Sequence, residues 1–537
     1  MIQPWTRVLL LCLGACFCVL AATAQPRNIR LDTPGSNPEE VSIAINPLNP
    51  DNLIAGANLR YVYASFDGGV TWTQDQLPFG TWGDPCVLFD KTGRAYIANL
   101  TYGWDAITVR YSDDGGRTWS RGVKLYGPSS DSARAGSFYN SSLQDKEWLA
   151  TDMTNSPWSG AIYAAWTDFT KYGSENPQDS TVIVFARSTD RGESFEPFVR
   201  VSDTGGDAVD SDNTVEGAVP AVGAEGEVYL TWAGPRGLYF DRSLDGGQTW
   251  GEDRVISDMP GGWDIDISGI SRANGLPITV ADISTAPTRG TVYVNWVDSR
   301  NGDHDVFILS STDQGQSWRG PVRVNDDAVG NGKEQFFTWA TVDAATGTLY
   351  VVFYDRRRYE SDSTDVYLAT STDGGLTFVN ERISEAIFYP TPMVFFGDYN
   401  GISAHNGRVR PIWTQLDQGQ LSIHTCLIDT NPNSVSRPGD APGMALDVWP
   451  NPVSMANGAK AVISLSMHAP GAVSAAVYDA VGRRVHTLHE GRLARGTHPF
   501  TWSTAAVVPG VYLVRVGSVD AIGTQRIHYS TRLIVVM

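Results

Sequence analysis

The sequence predicts an all-β protein in two parts, a propeller of four-stranded blades followed by a small β-sandwich. Three observations lead there. One eight-residue turn pattern recurs six times between residues 65 and 378. Short strands rich in Val, Tyr, Trp and Thr flank each copy. The composition then changes at "TNPNSVSRPGDAPG", and strands resume beyond it without the turn. At 537 residues the chain exceeds one ordinary core.

The N-terminus reads "MIQPWTRVLLLCLGACFCVLAATAQ". Arg7 precedes an apolar run from Val8 to Ala22, and Ala22-Thr23-Ala24 fits a small-x-small cleavage site, so residues 1–24 read as a secretory signal peptide. Leu13-Gly14-Ala15-Cys16 offers a lipoprotein-box alternative. No other segment is long enough to span a bilayer, so no transmembrane segment is expected in the mature chain. Three of the five cysteines leave with the signal. Cys86 and Cys426 remain, either as buried thiols or as a pair where the first and last blades meet. The net charge of -19 argues against nucleic-acid binding, which needs an excess of Lys and Arg.

The propeller is expected over residues 25–430. Its turn appears as "SFDGGVTW" at Ser65, "SDDGGRTW" at Ser112, "STDRGESF" at Ser188, "SLDGGQTW" at Ser243, "STDQGQSW" at Ser311 and "STDGGLTF" at Ser371. Ser and Asp side chains accept backbone N–H groups in tight turns, and Gly takes positive φ without strain. Repeats at this spacing indicate a solenoid or propeller. Three strands precede most copies ("FTWATVDAATG", "TLYVVFYDRR", "DVYLATS" before Ser371) and a fourth follows the aromatic, which makes a blade. A seventh unit, "GDYNGISAHNGRVRPIWTQLDQGQLSIHTCLI", has three strands and no turn motif, and "NIRLDT" supplies its fourth. Seven blades are expected; six is the alternative, with the last segment as an irregular cap. After a linker at 431–444, residues 445–537 show short strands ("AVISLSM", "GVYLVRV") with no helical period, the sandwich.

The Ser-x-Asp-x-Gly-x-Thr-Trp repeat resembles the Asp box of sialidases and bacterial-neuraminidase-repeat proteins, over roughly residues 28–430. The resemblance implies a propeller acting on an extracellular glycan or glycoprotein, as an exo-acting glycosidase of sialidase-like type. The alternative it leaves open is a non-catalytic propeller that binds glycan or protein. Sialidases grip the substrate carboxylate with three arginines, the first in a Phe/Tyr-Arg-Ile-Pro motif. The chain departs from this: "NLRYVY", with Arg60, lacks the Ile-Pro. Asn451-Pro452, Tyr478-Asp479 with Gly482-Arg483, Gly510-Val511-Tyr512 and the terminal "RLIVV" resemble the type IX secretion sorting domain and the Ig-like domain of flagellar hook-cap proteins. That implies contact with this secretion machinery and a secreted or cell-surface location. The mature protein is expected to be a monomer.

Six equivalent turns point to a structural role for the box, because catalysis calls for one distinctive copy. Chemistry is therefore expected at the axis, where the leading ends of the inner strands converge. These ends read "GDPC" (Asp84), "DKEW" (Asp145, Lys146, Glu147), "TVEG" (Glu216), "GKEQFF" (Lys333, Glu334) and "GDYNG" (Asp398, Tyr399), with "GWDIDISGISR" adding Asp264, Asp266 and Arg272. Crowded carboxylates raise one another's pKa, and two across a sugar suit glycoside hydrolysis. Glu334, Asp398, Tyr399, Glu147 and Asp84 are the catalytic candidates. Arg356, Arg357, Glu216 and Asp145 are the substrate-binding ones.

The second-strand ends give Asp168, Asp298, Arg300, Asp355 and Arg356 to Arg358; these are expected to pair between blades, the arginine cluster being also a place to hold an anion. "GGDAVDSDNTVEG" puts Asp207, Asp210 and Asp212 where an oxygen-only calcium site can form, although the EF-hand spacing is absent and a solvated acidic loop is the other reading. No other cofactor is implied: no phosphate loop, dinucleotide fingerprint, His-Glu-x-x-His or Gly-x-Ser-x-Gly element occurs.

Overall fold

The computed structural model describes residues 27–128, 143–417, 419–430, 444–449, 453–454, 460–467, 471–479, 483–504, 507–519 and 525–536. The signal segment, nearly all of the linker, Asn451, Pro452 and Gly482 lie outside them. Among the described residues every regular element is a strand. No helix there is long and apolar enough to cross a membrane.

The described residues between 27 and 430 form one short two-stranded ribbon, Asp264–Ile265 with Ala273–Asn274, and seven antiparallel four-stranded sheets. Their inner strands are Val41–Ile45, Cys86–Phe89, Leu143–Thr151, Glu216–Val222, Ile278–Ala281, Gln335–Val342 and Gly401–His405. Each neighbours the next, and the last returns to the first, so the sheets close a ring around an axial channel lined by all seven. We number the blades 1 to 7 in this order. Arg27–Arg30 pairs antiparallel with Gln420–Asp429, with Asn28 opposite Cys426, and so completes blade 7 from the other end of the chain. Cys86 and Cys426 are both free and buried. Burial pushes the Cys426 thiol up to about 12.

The repeated turn joins the two outer strands of blades 1 to 6. In the copy at Ser243 the hydroxyl of Ser243 donates to Asp245 and accepts the Gly247 N–H at 2.8 Å. Asp245 accepts the N–H of Thr249 at 2.9 Å and its hydroxyl at 2.6 Å. Gly247 has φ of +84°, and a Cβ there would stand 2.3 Å from Phe185 of the preceding blade. Trp250 packs edge-on against that same Phe185, at 4.9 Å. Trp318 does likewise on Phe240 one blade later, at 5.1 Å. The motif thus fastens its own turn and pins one blade to the last.

Beyond the linker, one sheet holds Met444–Trp449, Lys460–Met467 and Gly496–Ser503. A second holds Val453–Ser454, Gln525–Val536, Gly510–Val519, Gly471–Tyr478 and Arg484–Leu493. Ile463 and Trp502 of the first share a core with Val477 and Val514 of the second.

Candidate functional site at the axial end of the propeller

The leading ends of the inner strands share a backbone device. Glu40, Asp84, Lys146, Gly217 and Phe337 all have positive φ, at 49°, 51°, 51°, 76° and 47°. In blades 3, 4 and 6 the register against the second strand also shifts there, between Asp145 and Trp148, Glu216 and Val219, and Phe336 and Trp339. Such bulges re-aim side chains, and strained backbone of this kind clusters at functional sites. In blade 3 the bulge turns Asp145 and Lys146 toward an outer cavity and Glu147 toward a smaller recess.

The outer cavity measures about 400 Å³. Its walls include Trp82, Trp104, Tyr172, Trp263 and Phe395. The recess, about 40 Å³, is bounded by Trp148, Trp339 and Tyr399. Trp148 meets Trp339 at 4.2 Å and Tyr399 edge-on at 5.6 Å. Trp148 and Trp339 also line the channel beneath. Asp84, Lys146 and Asp398 border both spaces.

Asp398 is the electrostatic hub. Arg272 donates to it through Nε at 3.0 Å and through a second, short hydrogen bond from its other nitrogen. Lys146 Nζ donates at 3.1 Å. Burial would raise this carboxyl, but the charges and hydrogen bonds of Lys146 and Arg272 overcome that and hold it below the usual range. The other acids behave oppositely. Glu147 is 1% exposed, and neither carboxyl oxygen has a hydrogen-bond partner. Burial, then repulsion from Asp84, raises it well above the ordinary value. Burial also raises Glu40, with Asp84 and Asp398 adding to it; a short hydrogen bond from Asn58 reaches its carboxylate. Asp145 and Glu216 are raised by burial and by neighbouring acids, Asp210 among them in both cases. Glu39, also on the cavity wall, rises to about 7 through burial, against a hydrogen bond from Asn58.

Of the catalytic candidates, Asp84, Glu147, Asp398 and Tyr399 come together here, with Asp145 and Glu216 of the binding set. Glu334 does not line these spaces. It accepts the His304 N–H at 3.0 Å and faces the His304 ring at 2.6 Å. The reason is register: the left-handed residue heading blade 6 is Phe337, so Glu334 precedes the bulge that would turn it inward. Arg356 and Arg357 are likewise elsewhere. Arg356 donates to the Ser268 carbonyl at 2.7 Å and lies over Phe336. Arg357 pairs with Asp355 and Asp326 and lies over Tyr367. Asp298 and Arg300 pair within one turn, and Arg300 also reaches between blades, to Ser257 at 3.3 Å and Asp258 at 3.7 Å at the outer strand of blade 4.

Asp207, Asp210 and Asp212 diverge. Asp207 accepts the Thr214 hydroxyl, Asp210 accepts a short hydrogen bond from Tyr172, and Asp212 accepts the Asp264 N–H at 2.9 Å. Among the described residues no three His, Cys, Asp or Glu side chains form a group that could hold a metal ion.

Glu39, Glu40, Asn58 and the aromatic walls went unforeseen. An acidic pair directly before the alternating "VSIAI" is the same signal as "GDPC" and marks Glu39 and Glu40. Nothing local distinguishes Trp82 or Trp263 from the other tryptophans.

The model of the BNR/Asp-box repeat matches residues 110–121, the turn of blade 2. No curated protein matches the sequence. Among solved structures the chain is similar to the Hadza microbial sialidase Hz136, at 14% identity, a TM-score of 0.41 and coverage of 71% of this chain and 73% of that one. It is similar to the NanB sialidase of Streptococcus pneumoniae, at 11% identity, a TM-score of 0.42 and coverage of 70% and 83%. It is also similar to YCF48 bound to D1 peptide, at 12% identity, a TM-score of 0.40 and coverage of 77% and 98%.

Proposed function

We propose that the chain is a secreted, surface-sorted protein whose axial cavity hydrolyses a glycosidic bond in an extracellular glycan. The observation that carries this is Glu147: a carboxyl with no hydrogen-bond partner, held above its ordinary pKa by burial, at the foot of an aromatic-walled cavity. A carboxylic acid kept protonated near neutral pH is what a leaving sugar oxygen requires as proton donor. Asp84, which borders both recess and cavity, is the second carboxyl, placed to stabilise the oxocarbenium-like centre or to activate water. Asp398 stays ionised and holds Lys146 and Arg272 in place. Arg272, the one arginine among the described residues of the cavity wall, is committed to Asp398, so sialosides are poor candidates. The depth of Glu147 favours a second reading, a cavity that binds glycan without cleaving it.

The test is a glycan-release screen on the purified mature chain, spanning neutral, amino and sialylated glycans. Glu147→Gln and Asp84→Asn are each expected to lower kcat by roughly 100-fold or more with unchanged melting temperature. Binding without release from any glycan rejects hydrolysis. For the route of export, the signal reading is supported by the Arg7-to-Ala24 pattern, and the sorting reading by the C-terminal motifs. The secreted protein is expected to begin at Gln25. Removing residues 445–537 is expected to stop its delivery to the cell surface; unchanged delivery rejects the sorting role.

A further inference from the structure

The cavity is unequal in charge. Among the described residues its wall carries eight carboxyl side chains and two cationic ones, Lys146 and Arg272. Both cations are spent on one of those carboxylates, Asp398. An anionic sugar entering this space meets an excess of acids and, among the described residues, no uncommitted cation. The acids concentrate on one wall. Asp145, Asp210 and Glu216 act on one another and on the Tyr172 phenol, which donates to Asp210. Trp104 stands edge-on to Tyr172, with ring centroids 5.5 Å apart.

Independently of the charge count, Glu216 is 2% exposed, and its Oε2 receives no hydrogen bond from an amide, hydroxyl or cationic donor, the Asp210 carboxyl being its polar neighbour. A buried acceptor left unpaired costs stability unless a ligand supplies the donor. These groups are not arranged to hold a metal ion. An ammonium group is larger, carries three donors and is attracted by aromatic faces as well as by carboxylates. An aromatic path leads out of the cavity. Trp82, on its wall, meets Tyr102 at 5.3 Å, and Tyr102 meets Phe79, which is 86% exposed, at 5.9 Å. Such a row offers faces for the apolar sides of successive sugar rings and suits a chain rather than a single terminal sugar.

We propose that this cavity selects a glycan bearing free amino groups, with an ammonium seated against Asp145, Asp210 and Glu216 beside Trp104 and Tyr172, and with the chain running out over Trp82, Tyr102 and Phe79. The inference rests on the glycan reading above and names its substrate class. Burial and neighbouring acids raise Asp145 and Glu216, and a cation seated against them favours their ionised forms, so binding is expected to release protons.

The experiment is calorimetric titration of the full mature chain with glucosamine oligomers, N-acetylglucosamine oligomers of equal length, and oligogalacturonate. The amino oligomer is expected to bind at least about tenfold more tightly than the acetylated one, more weakly as salt rises, and with proton release read from buffers of different ionisation heat. Oligogalacturonate is expected not to bind. The Asp145→Asn/Glu216→Gln double variant is expected to lose the preference. The proton release needs only the unaltered protein, so the inference stays testable should that variant not fold. Equal or tighter binding of the acetylated oligomer, or binding of the amino oligomer without proton release, overturns it and leaves the glycan reading standing. Amine-dependent binding with no bond cleaved in any glycan rejects hydrolysis and leaves the selectivity standing.

Discussion

Aspartates at the rim of the propeller and acids at its axis are the same chemical group in opposite circumstances. Asp245, Asp313 and Asp373 sit in exposed turns, each accepting two or more hydrogen bonds from the turn that follows, and each is lowered to about 2. Glu147 and Glu216 are buried with unsatisfied oxygens; Asp145 is half-buried and accepts the Lys146 N–H at 2.9 Å; all three are crowded by other acids and are raised. The rim aspartates have spent their lone pairs on holding backbone. The axial acids are raised, and Glu147 and Glu216 keep an unsatisfied oxygen, the condition that general-acid chemistry or cation capture calls for. Donor supply and burial therefore separate the turn carboxylates from the axial ones in this fold.

The largest expected effect comes from breaking the one axial carboxylate that behaves like a rim residue. Asp398→Ala leaves Lys146 buried without its counter-charge and should cost roughly 3 kcal/mol, the lower end for a broken buried pair because the Arg272 side chain is 49% exposed. Urea unfolding followed by tryptophan fluorescence measures this; a loss below about 1 kcal/mol would show that the hub is not structural.

Next comes pH. The folded pKa of Glu39 is raised, so its contribution is fully present below its ordinary value of 4.5 and is lost as pH rises through about 7. The box aspartates are lowered, so theirs is present above 3.8 and is lost as pH falls through about 2. Stability should thus decline on both sides of about pH 4 to 5. Glu39→Gln should flatten the upper limb alone, and Asp245→Ala the lower limb in part. A melting profile in which both variants flatten the same limb would break the contrast.

Smaller still is Asp245→Ala at neutral pH. An exposed turn that loses its acceptor should lose about 1 kcal/mol, as at a helix cap, with glycan release unchanged. Loss of activity in a folded Asp245→Ala protein would return the box to catalysis. The smallest effect is none: reducing agent should leave the melting temperature unchanged, and thiol reagents should label Cys86 and Cys426 only after unfolding, since both are free and buried.

Much of the site was legible because each acid precedes an alternating strand. "GDPC", "DKEW", "TVEG" and "GDYNG" all lead into inner strands, and Asp84, Asp145, Glu147, Glu216 and Asp398 converge accordingly. Glu334 was misplaced because "GKEQFF" offers an acid three residues too early, and positive φ at a phenylalanine has no local signature. Arg356 and Arg357 looked like an anion site because their partners, the Ser268 carbonyl and Asp326, are far away in the sequence.

By itself the sequence determined the repeat, the box chemistry and the strand-borne acids, because turn geometry and alternation are local. Only the tertiary structure decided which acids are raised and which is lowered. Lys146 and Arg272 stand 252 and 126 positions from Asp398, and ring closure alone brings them to it and leaves Glu147 without a donor. Protonation follows from burial and from charges across the axis, and neither exists until the blades close.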